Sequence, residues 1–283
     1  MRKRAVLFVN KKNQKNFLSM AHRCQCAFGT KVEKFFASFF KKRSACLLIA
    51  FLFLAGPAQA ADPDALWKIV HDRCVPNQAQ NHDPKPCAEV TADVAVLKDL
   101  VGITQYLLIP TAQIGGIEHP ALLAPETPNY FAAAWDARRF MDAKLGKTLP
   151  RDAISLATNS ISGRTQNQLH IHIDCVRADV RATLKAKASE ITEAWARHAM
   201  PGGLHSYLVR RVSDLSAINP FRLLAAERPE ASSDMGHQTI VVVGAIFPDG
   251  SDGFYLLART ANPLILDFGS GEELQDHSCA IAS

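Results

Sequence analysis

In the stretch Leu169–Cys175, His170, His172 and Asp174 alternate with Leu169, Ile171 and Ile173. Residues two apart in a strand share a face. Two imidazoles and a carboxylate therefore project to one side, and three aliphatic side chains to the other. Three readings suit such a face. A neutral imidazole can attack phosphorus while its neighbours fix its tautomer. Two histidines and an aspartate can hold a metal. Or the strand is half buried and its histidines are structural. The loop just upstream, Ser160–Gln168, supplies Arg164, Thr165, Gln166 and Asn167, which are hydrogen-bond donors for anionic oxygens, Arg in particular. These donors move the weight toward phosphorus chemistry. No further His, Asp or Glu is spaced nearby as an obvious ligand, so no metal or other cofactor is expected.

The flanking elements must present that face. The patterning predicts a strand over Ala153–Asn159, a polar loop over Ser160–Gln166, and a second strand over Leu169–Val176. A helix is expected over Asn129–Leu145, stopped by Gly146, and a long one over Asp179–His198, ended by Pro201-Gly202-Gly203. A short amphipathic helix over Asp64–Arg73 leads into a Pro/Asn/Gln loop that runs to about Cys87. Asp93–Asp99 and Gln105–Pro110 read as a hairpin turning near Val101-Gly102. Strands are expected at Ser206–Val212, Gln238–Ala245 and Gly253–Ala258, with a helix at Asn219–Arg228 and a helical turn at Glu272–His277. Neighbouring antiparallel strand pairs without regular strand–helix alternation indicate an α+β fold.

The 283 residues carry a formal net charge of +5, which invites a nucleic-acid reading. The charge is unevenly placed. Residues 1–43 hold twelve basic side chains and one acid, giving +11, and the remaining 20 basic and 26 acidic residues give −6. The globular part is acidic, so its net charge gives no support for a nucleic-acid partner. Lys41-Lys42-Arg43 precedes eighteen uncharged residues, Ser44 to Ala61, that end in Ala58-Gln59-Ala60. This fits either a cleaved signal peptide or a short membrane anchor. Both put the basic side in the cytoplasm and export the rest. Met20 is an alternative start to Met1. The expected organisation is thus a basic leader at 1–43, an apolar segment at 44–61 and an exported domain at 62–283. Four cysteines lie outside the leader and apolar run, an even number that fits two disulfides in an oxidising compartment. Cys74–Cys87 would close the Pro/Asn/Gln loop, leaving Cys175–Cys279 by elimination. No C-x-x-C pair occurs among them to suggest zinc.

Asn159, Gln166, His170 and His172 resemble the histidine-triad superfamily signature, N-x6-Q-x3-H-x-H-x-H/Q. The runs Gln105–Pro110 and His119–Leu122 look like that superfamily's second strand and the loop after it. More narrowly, residues 66–283 resemble the CDP-diacylglycerol pyrophosphatase family. The resemblance is carried by Leu66–Val70, Cys74–Gln78, Pro86–Val90, Gly163–Asn167, His170–Ile173, Pro201–Leu204 and Glu272–His277. It implies a histidine-triad-like antiparallel sheet with packed helices, and hydrolysis of CDP-diacylglycerol to CMP and phosphatidate. By position His172 corresponds to the nucleophile. His170 would orient or polarise it, while Asn159, Arg164, Gln166 and Asn167 would bind phosphate. Asp174 stands where many triad hydrolases have a third histidine and is expected to fix an imidazole tautomer. The expected setting is a bacterial inner membrane, with one span and the catalytic domain in the periplasm, or a cleaved periplasmic enzyme. The same intermediate would also serve a cytidylyltransferase, and a non-catalytic nucleotide- or metal-binding protein is the alternative of a different class.

Overall fold

The structure, a computed structural model, describes residues 62–282. The basic leader and the apolar segment at 44–61 lie outside the described residues. Among the described residues no helix is long and apolar enough to cross a membrane.

Nine strands form one antiparallel sheet in the order β1-β2-β3-β5-β4-β8-β9-β7-β6. They are β1 (Glu89–Val90), β2 (Val94–Lys98), β3 (Tyr106–Pro110), β4 (Ile154–Thr158), β5 (Ile171–Cys175), β6 (Ala196–Ala199), β7 (Ser206–Val212), β8 (Gln238–Ile246) and β9 (Asp252–Thr260). The α+β expectation holds. The β2–β3 hairpin turns where Gly102 adopts a positive φ of 76°, a conformation that favours glycine.

Cross-strand register assigns the two faces. Tyr106, Ile173, Leu156, Val242 and Leu256 lie opposite one another across five strands. They belong to the main core, which packs against α3 (Tyr130–Ala137), α4 (Arg139–Leu145) and α6 (Pro220–Glu227) through Phe131, Trp135, Met141 and Phe221. One residue along, Leu107, His172, Ala157, Val241, Leu257 and Val209 are in register on the other face. There Leu107 joins a small apolar cluster with Val70, Cys74 and Cys87. Ala157 and Val241 join a larger one with Val180, Leu184, Tyr207 and Leu274. His172 stands between these two clusters.

Three helix boundaries depart from expectation. The first helix does not stop at Arg73. It runs through α1 (Ala65–Ile69), a π turn over Val70–Cys74, and α2 (Val75–Asn81). The widened turn comes just before Pro76, which has no N–H to donate to an ordinary helical carbonyl. The expected Asn129–Leu145 helix is divided between α3 and α4 at Arg138, which donates to the Trp135 carbonyl and lies over the Trp135 ring. The expected long helix Asp179–His198 is wrong in its second half. α5 (Ala178–Ala186) ends after Leu184, and Ala196–Ala199 extends the sheet as an edge strand on β7. Val180, Leu184, Ile191 and Trp195 fit one helical face, but pairing with an open strand edge prevailed over that local pattern.

Both expected disulfides form. Cys74–Cys87 joins the π turn to the lead into β1, with Cα atoms 5.7 Å apart. Cys175–Cys279 joins the end of β5 to the C-terminal tail, with Cα atoms 5.2 Å apart. The latter spans 104 residues, and closing so long a loop in the unfolded chain contributes about 4.7 kcal/mol in the chain-entropy model.

Candidate active site

β5 places His172 and Asp174 on the face away from the main core, as the alternation requires. His170 lies just before the strand, and its ring meets that of His172 edge-on at 4.8 Å between centroids. The His170 Nδ1–H donates to the Gln168 carbonyl at 2.7 Å, which leaves its lone pair on Nε2. Burial and the neighbouring His172 push the His170 pKa down to about 4, so this ring is neutral near pH 7.

A segment from β9's far end closes over these histidines. Its 3-10 turn, Gly271–Leu274, begins with the Gly271 N–H donating to Asn159 Oδ1 at 2.8 Å. Asn159 Nδ2 in turn donates to Glu272 Oε1 at 2.7 Å. That carboxylate oxygen is 3.5 Å from His172 Nε2. Gln275 Nε2 donates to the carbonyls of His172 and Ser155 and to the Ser155 hydroxyl, fixing the segment on β4 and β5. His277 completes the arc. Its Nδ1 lies 2.7 Å from Asp174 Oδ2, and its Nε2 is 3.7 Å from Glu272 Oε2.

Asp174 is fully buried and also accepts from Thr104 Oγ1 and from the Cys175 N–H. It does hold an imidazole, but the ring is that of His277 rather than of His170 or His172. Burial lifts the Asp174 carboxyl, and the hydrogen bond to Asp174 lifts His277, so the pair keeps its proton to higher pH than an isolated histidine would.

Gln105 lies on the opposite side of His172, its amide 2.6 Å from Nδ1. A carboxamide donates from one end and accepts at the other, and a half-turn exchanges the two. Gln105 Oε1 and His172 Nε2 are both buried without a hydrogen bond. Asp99 Oδ2 is 3.9 Å from His172 Nδ1. Among the described residues no three His, Cys, Asp or Glu side chains form a group arranged to hold a metal ion.

The polar loop is less uniform than its composition implies. The Arg164 side chain is largely buried, and its two terminal guanidinium nitrogens donate to Glu118 at 2.6 Å each while Nε makes no hydrogen bond. Burial opposes the Glu118 charge, but Arg164 outweighs it and holds that carboxyl below its ordinary value. Gly116 makes room for this pair, because a Cβ there would lie 2.1 Å from Arg164 Nη1. Gln166 accepts from the Leu66 N–H and donates to the Asp62 carbonyl, and the Asn167 N–H donates to the Pro63 carbonyl. So the structure unites Asn159, His170, His172 and Asp174 in one site. Arg164, Gln166 and Asn167 sit on the loop at its edge, where Arg164 and Gln166 have protein partners for their side chains. Sequence spacing gave no role to Gln105, Glu272 or His277, which reach the site from 67 to 113 residues away. The only signal for them was their place within runs of family-like sequence.

The family model for CDP-diacylglycerol pyrophosphatase matches residues 61–283, which is the whole described domain and most of the chain. The activity is hydrolysis of the diphosphate bond of CDP-diacylglycerol to CMP and phosphatidate, a reaction of phospholipid metabolism. A buried neutral histidine, a second histidine with an unengaged ring nitrogen and a histidine–aspartate pair suit attack on a phosphoryl group. The chain belongs to the CDP-diacylglycerol pyrophosphatase family.

Proposed function

We propose that hydrolysis proceeds through a cytidylyl-histidine on His172, on a sheet of the histidine-triad superfamily with Asp174 in the third triad place. The observation that carries this reading is the His172 Nε2, buried beside Asn159 and Glu272 and making no hydrogen bond of its own. With the Gln105 amide oxygen toward the ring, Nδ1–H donates to Gln105 and the Nε2 lone pair faces the substrate. Nε2 forms a bond to the phosphorus bearing cytidine, and the bridging P–O bond breaks with its electron pair leaving on phosphatidate. This leaving group is a phosphate monoester with a second pKa of about 6 and departs as an anion. The protonated His277–Asp174 pair stabilises that charge. Water then adds to phosphorus, the N–P bond breaks, and CMP is released. His170 is fixed with its lone pair on Nε2, so it can take the proton of that water. It cannot serve as a cation for phosphate near neutral pH. Glu272 Oε1 sits at about the distance an attacked phosphorus needs, so the incoming diphosphate has to turn this carboxylate aside.

Turnover in heavy-oxygen water tests the bond that is cleaved. Attack on the cytidine-bearing phosphorus puts the solvent oxygen in CMP. Solvent oxygen in phosphatidate instead would place attack on the other phosphorus and overturn the scheme.

The pH profile tests the His277 assignment. His277 is raised in the folded protein, so its protonated form persists at low pH and is lost as pH rises through that raised value. Asp174→Asn removes the main cause of the rise. The alkaline limb of kcat should move to lower pH, and the rate at pH 8 should fall by about tenfold. An unmoved limb would show that another group sets it.

We further propose that the domain is exported and works at a membrane surface. The one-sided charge before Ser44 and the two disulfides support this reading. The apolar segment then serves as an anchor or a cleaved signal.

A further inference from the structure

The loop after β9 exposes an uncharged tip. Leu264 is 95% exposed, Ile265 71%, Leu266 77% and Phe268 46%, and Ile161 beside them is 46% exposed. These side chains are held out by a built frame. Asn262 and Asp267 pair backbone to backbone across the loop, Asn262 Oδ1 accepts from the Leu264 N–H, and Arg259 forms a buried ion pair with Asp267. Leu266 has a left-handed φ of 61°, which costs energy for a residue with a Cβ. Its exposed side chain gains no packing in return. A patch of this kind in an otherwise ordinary acidic domain marks a contact surface.

Its position says which contact. Ser160 donates from its hydroxyl to the Phe268 carbonyl at 2.6 Å and from its N–H to the Gly269 carbonyl at 3.0 Å. Gly269 permits this approach, since a Cβ there would lie 2.8 Å from Ser160 Oγ. Asn159, the neighbour of Ser160, is bonded to Glu272 in the catalytic arc. The patch therefore borders the site at the end of the sheet where β4 finishes and β5 begins. Asp62, which follows directly on the apolar run Ser44–Ala61, is hydrogen-bonded to Gln166 of the same Ser160–Gln168 loop. The chain enters the domain at the end that carries the exposed tip.

We propose that the loop Asn262–Asp267, with Phe268 and Ile161, inserts into the lipid bilayer and brings the catalytic face to substrate whose acyl chains remain in the membrane. The inference rests on the hydrolase reading above. Bilayer insertion removes the exposed aliphatic surface from water, an unbalanced cost in the free protein. The β2–β3 turn, which exposes Leu100, Val101 and Ile103, lies at the opposite end of the strands, beyond Asp174. It is apolar but should not touch the membrane.

The test compares two substrates with the full chain. One is long-chain CDP-diacylglycerol in vesicles of phosphatidylethanolamine and phosphatidylglycerol. The other is a short-chain analogue dissolved as monomers. The double substitution Leu264→Ser, Ile265→Ser should lower kcat/KM on vesicles by about tenfold and leave the monomer rate within about twofold. Leu100→Ser should change neither. An unchanged vesicle rate, or equal losses on both substrates, would overturn the proposal. So would a matching loss from Leu100→Ser. A shift in oligomeric state by sedimentation velocity would assign the patch to contact between copies of this chain and would also overturn it. Failure of the parent enzyme to release CMP from either substrate would instead refute the hydrolase reading beneath it.

Discussion

His172→Ala is expected to reduce CMP release by at least about ten-thousand-fold, the scale seen when a covalent nucleophile is removed. The expectation follows from geometry on both sides of the ring. Gln105 and Asp99 address Nδ1, which leaves Nε2 as the nitrogen that faces Asn159 and Glu272. No other described side chain at the site has a buried ring nitrogen without a hydrogen bond. Rapid acid quench of the parent enzyme with cytidine-labelled substrate should trap label on an acid-labile histidine, and His172→Ala should trap none. Label retained on His170 in that variant would move the nucleophile two residues upstream. A melting curve near that of the parent would separate lost chemistry from lost fold. The removed side chain lies between two apolar clusters and leaves a small polar gap, so the fold should survive.

His277→Ala should lower kcat by about a hundredfold with a small change in KM, the loss expected when one preorganised charge at a developing anion is removed. The variant also leaves Asp174 buried with its main partner gone, so some stability is lost. Stability alone does not predict the second readout. If the protonated His277 sets the alkaline limb of the profile, that limb should vanish in His277→Ala, whereas a structural histidine would leave it in place. His277→Asn keeps a donor for Asp174 but not the cation. It should recover stability and leave kcat low.

The strand that carries His172 and Asp174 was legible in the sequence because both its signals are local. Alternation over seven residues set which side chains face away from the core, and the polar loop lay directly before it. The β2–β3 hairpin and strands β4, β7, β8 and β9 were readable for the same reason. The disulfide pairing was legible because four cysteines leave few choices. The second half of the long helix was not, since Ala196–Ala199 becomes a strand only through the edge of β7. Arg164 shows the limit most clearly. Its type fits a phosphate donor, but Glu118 takes both terminal guanidinium nitrogens from 46 residues away. His277 shows the reverse, being invisible to any spacing rule yet joined to Asp174 across 103 residues.

The arc from Gly271 to Cys279 has a consequence for the timing of assembly. A nascent chain that has emerged only through β9 already holds His170 and His172 in sequence, but it lacks Glu272, Gln275 and His277. It also lacks Cys279, so Cys175 has no bridge partner. Such a chain has the His172 ring without Glu272 and Gln275, which lie against that residue, and without His277, which pairs with Asp174. The full set of contacts around His172 and Asp174 therefore forms only once residues beyond the last strand arrive. The Cys175–Cys279 bond then joins the tail to the end of β5.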